Sequence, residues 1–424
     1  MDDPTFQAQL NKAGNFEHRK AMERLREGLF DPLSIRLLTT GQKKLDNVFE
    51  KGVNTLAENN QPHLCICGAY GQGKSHSLKY LQQKALKKNF VVSYINLDPR
   101  HVPFHNFHNV YKVLMKNMKF PNEETCFIDV WKTFANDWLA LQQDNKKKDI
   151  SELIPEEIPH RFKTILTALA QKNLPIPSKK LKLKKYVGFK TKSFSWILKS
   201  ALMGKNIPVS RLRSVLYFRQ VSFYREKSLV CREHDQYLKM VQGMAKLIQR
   251  IGFRGWIVLF DEGESIIQTR ITLRSKSYEL LHKIFFPLTK TCGFYPVFAF
   301  TNDFFTYVTD EEYDRTKVQK SSNNISPVEI TYFRRNYSEI WKNITIHSLQ
   351  DLSSQEWEIL IIKLIKLHAA AYRWKPSVDI LQNQIKQKLS KHSGAQTRLK
   401  LKFLVNLLDL EQQSTGSHHG IRLG

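Results

Sequence analysis

Apolar residues along the chain form two kinds of pattern. Five short, nearly continuous apolar runs predict buried strands, at 63–67, 90–98, 256–260, 295–303 and 343–349. Longer stretches repeat their apolar positions with a helical period, as in SHSLKYLQQKALKK and FHNFHNVYKVLMKNM. Buried strands that alternate with helices predict an α/β fold, in which a parallel sheet carries helices on both faces.

The spacing of the strands divides the chain. About 137 residues, 119–255, separate the first two strand units from the third strand, far more than one crossover needs, so we predict a helical insertion there. Helical segments after the last strand predict a C-terminal lid, and the polar stretch 310–329 predicts a loop. The predicted organisation is a helical lead-in at 1–34, a first core segment at 35–118, the basic insertion at 119–255, a second core segment at 256–350, the lid at 351–411 and a disordered tail at 412–424.

Charge adds a partner to this picture. The chain has 66 basic and 39 acidic residues, a formal charge of +27, and the excess is concentrated in 161–254, with 22 lysines or arginines against three acids. Such a field attracts polyanions, and aromatic residues among the cations can stack on bases. We therefore predict sequence-independent binding of nucleic acid; a solvated basic loop and a membrane surface are the alternatives. The predicted contact residues are Lys179, Lys180, Lys182, Lys184, Lys185, Lys190, Arg211 and Arg213.

Composition disfavours other classes of protein. No apolar run reaches the roughly 18 residues of a membrane span, and the first residues are polar, so we expect neither a span nor a secretion signal. The five cysteines are odd in number and lack zinc-ligand spacing, which favours a reducing compartment. We expect a cytoplasmic protein.

The clearest chemical motif follows the first strand. Residues 68–75 read G-x-x-x-x-G-K-S between a strand and a helix, the pattern of a phosphate-binding loop. Its glycines let backbone N–H groups turn towards phosphate oxygens, Lys74 reaches the β- and γ-phosphates, and the Ser75 hydroxyl is a magnesium ligand. The predicted ATP-binding residues are Gly68, Ala69, Tyr70, Gly71, Gln72, Gly73, Lys74, Ser75 and His76.

A phosphate-binding loop binds a nucleotide, but hydrolysis needs further groups. Asp261 ends the apolar run Trp256–Phe260 and is predicted to hold Mg²⁺, directly or through water. Glu262 follows it and is predicted to polarise the attacking water as general base. The alternative for this Asp-Glu pair is a solvated turn.

The order of the strands indicates an AAA+-type, additional-strand P-loop NTPase core with a helical lid. Asn302 (or its neighbour Thr301) would then be a sensor of the γ-phosphate, although a strand-end cap is the simpler alternative. Arg334 and Arg335 precede the last strand, where an arginine finger for a neighbouring subunit belongs, or they form a solvated surface. Arg398 opens the last lid helix and is predicted to be a second nucleotide sensor.

Several blocks, in this order, resemble the ATP-binding proteins of the bacterial phage-resistance system called BREX. They are SIRLLTTGQ, GAYGQGKSHSLK, NFVVSYINLDPRHVPFHNFHNVYKVLM, KLIQRIGFRGWIVLFDEGESI, LQDLSSQEWEILIIKLIKLHAAAYRW and TRLKLKFLVNLLDL. The resemblance implies an AAA+ fold, ATP and Mg²⁺ as ligands, and a role near DNA in defence, which makes DNA the nucleic acid that we expect. Other defence-system proteins and a homo-oligomer in the ATP state are the further partners that we expect.

Three functions remain open at this point. The first is an ATPase whose cycle switches or remodels a DNA-bound complex. The second is a module that uses ATP as a latch to recruit partners onto DNA with little turnover. The third is a P-loop kinase, which the basic helical insertion does not favour. Glu262 favours the first, since a latch can dispense with a base.

Overall fold

The computed structural model describes residues 4–122, 125–140, 149–170, 192–219, 221, 229–230, 234–288, 292–313, 316–319, 328–331, 335–390 and 396–417. The strands among these residues are β1 Leu64–Cys67, β2 Val91–Asn96, β3 Met118–Lys119, β4 Trp256–Asp261, β5 Phe294–Phe300, β6 Thr316–Gln319, β7 Val328–Thr331 and β8 Ile346–Ser348. The helices are α1 Pro4–Lys12, α2 Asn15–Arg26, α3 Pro32–Leu38, α4 Lys43–Ala57, α5 Lys74–Lys87, α6 Phe107–Lys116, α7 Phe127–Ala140, α8 His160–Ala170, α9 Lys192–Leu202, α10 Val209–Phe218, α11 His234–Ile251, α12 Ile271–Phe285, α13 Phe304–Tyr313, α14 Tyr337–Ile340, α15 Ser354–Tyr372, α16 Val378–Ser390 and α17 Thr397–Ser417.

Six of the strands form one sheet in the order β3-β2-β4-β5-β1-β8. All neighbours run parallel except β3, which is antiparallel to β2. The register pairs Cys67 with Phe300 and Asp261 with Asn96, so the carboxyl ends of the central strands meet at one edge. The prediction of an α/β fold with a mostly parallel sheet is confirmed, and the arrangement is consistent with a P-loop NTPase-like core.

Both faces of the central strands are covered, which explains why these strands read as continuous apolar runs. On one face, Phe49 of α4 and Leu78 of α5 pack in a core with Ile66 and Val297. On the other face, helices α6 to α14 share one continuous core with β4 and β5. Every residue of β4 and β5 is buried. The helices predicted as an insertion therefore pack into the core of the sheet.

Helices from the two ends of the chain form a third core. Apolar residues of α1, α2 and α3 pack against α15, α16 and α17. The guanidinium of Arg26 donates to both carboxylate oxygens of Asp409, at 3.0 and 2.8 Å. Asp409 also lies 3.0 Å from Nε2 of the fully buried His368. The lead-in and the C-terminal helices thus make one helical body, which we call the end-helix body.

Local differences from the sequence predictions have physical causes. Strand β6 lies in the stretch predicted as a loop, 310–329, and pairs antiparallel with β7, which begins at the end of that stretch. The alternating β-branched residues of the two strands favour a ladder although neither strand is an apolar run. Helix α17 continues to Ser417, beyond residue 412 where a disordered tail was expected, so the start of that tail is corrected. The apolar residues Leu404, Val405 and Leu408 anchor this helix in the end-helix body. Among the described helices, none combines the length and the apolar character needed to cross a membrane.

Candidate functional site

The loop between β1 and α5 turns on glycines. β1 ends at Cys67 and α5 begins at Lys74. Gly71 and Gly73 have φ values of +77° and +105°, in the left-handed region that other residues rarely adopt. A Cβ atom on Gly71 would also lie 2.6 Å from Oε1 of Gln396. This tight turn brings the first residues of α5 to the carboxyl edge of the sheet.

Lys74 is buried and folds back over the loop. Its Nζ donates to the carbonyl oxygens of Gly68 at 3.1 Å and Ala69 at 3.4 Å, and lies 3.6 Å from Oε1 of Glu264. An ammonium group has three protons, and the two carbonyl oxygens accept two of them. The remaining donor capacity of Lys74 faces the Glu264 carboxylate at ion-pair distance.

Gln72 connects the loop to the segment that leads into α15. Its Oε1 accepts from the backbone N–H of Ala69 at 2.7 Å, and its Nε2 donates to Oδ1 of Asp351 at 3.3 Å. Nearby, the N–H of Leu349 donates to the carbonyl oxygen of Cys67 at 2.7 Å. The loop and the start of the end-helix body are thus joined by side-chain and backbone hydrogen bonds.

Carboxylates gather at the end of β4. Asp261 is buried, its Oδ2 accepts from the hydroxyl of Tyr94, and its Oδ1 accepts from the N–H of Glu262 at 3.0 Å. Glu262 adopts a left-handed backbone conformation with φ of 57°. Burial, and then the neighbouring carboxylates of Glu264 and Asp261, raise the pKa of Glu262. A carboxylate with a raised pKa is a stronger base than an ordinary one.

Tyr94 and Lys79 belong to this site although no motif marks them. Nζ of Lys79 lies 3.2 Å from the centre of the Tyr94 ring. Burial, and then the Asp261 carboxylate, raise the pKa of Tyr94, while a hydrogen-bonding contact with Ser75 acts in the opposite direction. Burial lowers the pKa of Lys79 to about 8, aided by Lys119 and opposed by Asp261. The phenol of Tyr94 is therefore next to both Ser75 and Asp261.

A cavity of about 1420 Å³ opens above these groups. Ligand pockets of roughly 300–1,000 Å³ are typical, so a nucleoside triphosphate has ample room here. The predicted site residues that line it are Tyr70, Gly71, Gln72, Gly73, Lys74, Ser75, His76, Glu262 and Arg398. The other predicted residues of the loop and of β4 form hydrogen bonds with lining residues; they are Gly68, Ala69 and Asp261.

One wall of the cavity comes from the segment between α3 and α4, which sequence reasoning did not assign to the site. Thr39 and its neighbours through Gln42 line the cavity beside His76. Oγ1 of Thr39 lies 2.9 Å from Nε2 of His76, and the His76 ring meets the Phe30 ring edge-on at 4.6 Å. Burial lowers the pKa of His76 to about 4, so the imidazole is neutral at pH 7. The signal in the sequence was the block SIRLLTTGQ.

Other predicted residues lie in different places. Arg398 lines the cavity, and its Nε would be 2.9 Å from a Cβ atom on Gly28. Asn302 is exposed just after β5 and does not line the cavity. Arg335 is exposed and lies near His282 of α12. Burial of the His282 ring lowers its pKa, and the positive charge of Arg335 lowers it further. The structure therefore brings Arg398 to the cavity, but not Asn302 or Arg335.

The predicted nucleic-acid residues are described only in part. Arg211 and Arg213 lie on α10, away from the residues that line the cavity. The remaining cations and the predicted arginine finger Arg334 lie outside the described residues; the cations are Lys179, Lys180, Lys182, Lys184, Lys185 and Lys190.

Comparisons with known proteins supply the family. A search of curated proteins found no match. A family model described as "BREX system ATP-binding protein BrxC/D" matches residues 15–174 and 230–419, which is most of the chain. The unmatched stretch between them contains all the predicted nucleic-acid contacts. The matched ranges contain the phosphate-binding loop, the carboxylates at the end of β4 and every helix of the end-helix body except α1, and the chain accordingly belongs to the family of BREX system ATP-binding proteins BrxC/D.

Proposed function

We propose that this chain binds ATP with Mg²⁺ and hydrolyses it, as an AAA+-type ATPase that switches or remodels a DNA-associated complex in phage defence. The observation that carries the proposal is the cavity in which Lys74, Ser75 and Glu262 meet. The family description supports ATP as the ligand. Helix α5 begins at this cavity, and the positive end of its dipole favours phosphate.

Magnesium fits the oxygen donors at the site. Ser75 lines the cavity, and the Asp261 carboxylate is hydrogen-bonded to Tyr94, which lines the same cavity. Hydroxyl and carboxylate oxygens are the hard ligands that Mg²⁺ prefers, usually together with phosphate oxygens and waters. Bound Mg²⁺ supplies charge neutralisation at the β- and γ-phosphates. Ser75 and Asp261 are the residues that would hold it.

Glu262 is our candidate for the general base. Its side chain lines the cavity, and its raised pKa increases its affinity for a proton taken from water. Glu264 lies against Lys74 at 3.6 Å, so its carboxylate is already engaged by a cation. This contrast favours Glu262 over Glu264 as the base.

The AAA+ assignment is supported by strand order and by the end-helix body. β5 lies between β1 and β4, which is the additional strand of this class, and Arg398 of α17 lines the cavity as a lid residue would. We further propose Arg334 or Arg335 as a finger acting on a neighbouring subunit, while Asn302, which does not line the cavity, receives no sensor role. The exposure of Arg335 suits a contact with a second copy in the ATP state.

The insertion is our candidate for the DNA contact. Within its described residues, Trp196 of α9 and Tyr217 of α10 are 55% and 51% exposed, and α9 packs against α10. Nζ of Lys205 lies 5.9 Å from the Trp196 ring. Exposed aromatic residues near cations support stacking on bases and neutralisation of phosphates.

A latch with little turnover is the second candidate. It is favoured by the family description, which names binding of ATP and not its hydrolysis. The two candidates share the binding site and differ in the rate of turnover. Other members of the defence system would be the partners of either.

The test measures ATP binding and phosphate release with and without single- and double-stranded DNA. We expect measurable hydrolysis that changes when DNA is added. Lys74→Ala should abolish tight binding, because its ammonium lies against the loop that would hold the phosphates, and circular dichroism should show that the variant is folded. Binding without hydrolysis would select the latch. Parent-level turnover by folded Lys74→Ala would refute the site.

A further inference from the structure

The hydroxyl of Tyr94 is hydrogen-bonded to one of the two residues proposed to hold magnesium. It donates to Oδ2 of Asp261. The other residue, Ser75, lines the same cavity as Tyr94, while Asp261 is only 4% exposed. Asp261 therefore does not line the cavity itself, and its hydrogen bond with Tyr94 connects it to the cavity wall.

Each carboxylate oxygen of Asp261 already accepts from a donor. Oδ1 accepts from the N–H of Glu262 at 3.0 Å, and Oδ2 accepts from Tyr94. A buried carboxylate loses stability when its hydrogen bonds are removed, so these two donors hold it in one orientation.

The Tyr94 ring is itself held in place. Nζ of Lys79, one turn further along α5 than Ser75, lies 3.2 Å from the ring centre. On the strand side, the carbonyl oxygen of Tyr94 accepts from the Asn117 side chain at 2.9 Å. The hydroxyl is therefore directed at Asp261 by contacts on both the ring and the backbone.

We propose that Tyr94 is a positioning residue of the metal site, whose hydroxyl holds Asp261 in the nucleotide-free chain and releases it when Mg²⁺ and ATP bind. The inference rests on the proposed function, because it concerns the same site. Release requires the Tyr94–Asp261 hydrogen bond to break, so that bond opposes binding of the metal–nucleotide complex. ATP without the metal does not engage Asp261 and leaves the bond intact.

The test compares Tyr94→Phe with the parent chain and with a matched control. Phenylalanine keeps the ring beneath Lys79 and removes only the hydroxyl. Tyr80→Phe is the control, because the Tyr80 hydroxyl also donates to a carboxylate, Asp46, at 2.9 and 3.0 Å, but does not line the cavity. The affinity for the non-hydrolysable β,γ-imido analogue of ATP is measured by calorimetry, once with excess Mg²⁺ and once with EDTA.

We expect Tyr94→Phe to bind the analogue about tenfold more tightly than the parent chain in Mg²⁺, the equivalent of one hydrogen bond to a charged group. The affinity in EDTA should be unchanged for both variants, which also shows that they are folded. Tyr80→Phe should match the parent chain in both conditions.

Other results would refute the inference. An unchanged affinity in Mg²⁺ would mean that the bond is not broken on binding. A weaker affinity in Mg²⁺ with a normal affinity in EDTA would mean that the hydroxyl remains in the metal-bound site. A parent chain that binds no nucleotide in either condition would overturn the proposed function, and this inference with it.

Discussion

Replacing Asp409 with asparagine tests whether helices from the two ends of the chain are held as one body. Arg26 donates to both oxygens of Asp409, at 3.0 and 2.8 Å. Nε1 of Trp374 donates to Nδ1 of His368 at 2.9 Å, so the imidazole proton lies on Nε2 and is donated to Asp409. The carboxylate thus accepts three hydrogen bonds across α2, α15 and α17.

The expected cost follows from these contacts. Asparagine keeps the volume but replaces one accepting oxygen with an NH₂ group and removes the charge. One hydrogen bond from Arg26 is lost. The remaining hydrogen bonds to this side chain then have a neutral amide oxygen as acceptor in place of a charged carboxylate. Hydrogen bonds to charged groups contribute about 1.5–3 kcal/mol each, and the side chains of Arg26 and Asp409 are 32% and 22% exposed, which favours the low end. We expect Asp409→Asn to lower the free energy of unfolding by about 2 kcal/mol.

The assay is urea unfolding followed by tryptophan fluorescence, because Trp357 and Trp374 pack in the end-helix body. Glu339→Gln is the control. Its salt bridge with Lys342 is 66% exposed on both sides, so no measurable change is expected.

The effect of Asp409→Asn should depend on pH. Burial acts to raise the pKa of Asp409, but hydrogen bonds from Arg26 and His368 outweigh it and lower the pKa below its usual 3.8. A lowered pKa stabilises the fold above the unfolded value, and this stabilisation is lost as the pH falls through the folded value. The difference between parent and variant should therefore be full at pH 7 and shrink below about pH 4. Equal stabilities at pH 7, or a difference that grows in acid, would refute this account.

The remaining predictions concern the proposed site and its partners. Glu262→Gln should retain ATP binding and lose roughly a hundredfold or more in hydrolysis, and the parent rate should fall as acid protonates a carboxylate whose pKa is above the usual 4.5; an unchanged rate would assign the base elsewhere. A mixture of the double variant Arg334→Ala, Arg335→Ala with Lys74→Ala protein should hydrolyse some ATP, because some interfaces between the two proteins contain one intact site. No recovery of hydrolysis in confirmed mixed assemblies would contradict a shared site. Removing five lysines together should flatten the salt dependence of DNA binding and leave ATP binding intact, whereas an unchanged slope would locate the contact elsewhere. The five are Lys179, Lys180, Lys182, Lys184 and Lys185.

Local patterns were sufficient for five of the six strands of the sheet and for the phosphate-binding loop. The apolar runs predicted β1, β2, β4 and β5, because strands buried on both faces rarely carry polar residues. The run at 343–349 also predicted β8, although Ile346 and Ser348 of that strand are exposed. The glycine spacing also predicted the turn before Lys74, and in the structure Gly71 and Gly73 adopt the positive φ values that such a turn needs.

Contacts between distant residues were not predictable in this way. The pairing of Arg26 with Asp409 joins positions 383 residues apart, and the Tyr94–Asp261 bond joins positions 167 apart. Neither pair carries a spacing signal, because the fold alone brings them together. Helix periodicity shows that α2 has an apolar face, but not which helix covers it.

The end-helix body has a consequence during synthesis of the chain. The buried faces of α1 and α2, including Phe6, Leu10, Met22 and Leu25, are covered by helices that begin only at Ser354. At about 5–20 residues per second, a ribosome takes roughly 15–65 s to reach those helices after α2 has been made. During that interval the early helices have only α3 as a partner on the nascent chain, and the apolar side chains that α15, α16 and α17 will cover are open to chaperones or to wrong contacts. Arg398 and Leu401 are the last lining residues along the chain, so nucleotide can meet the complete cavity only after residue 401 has been translated.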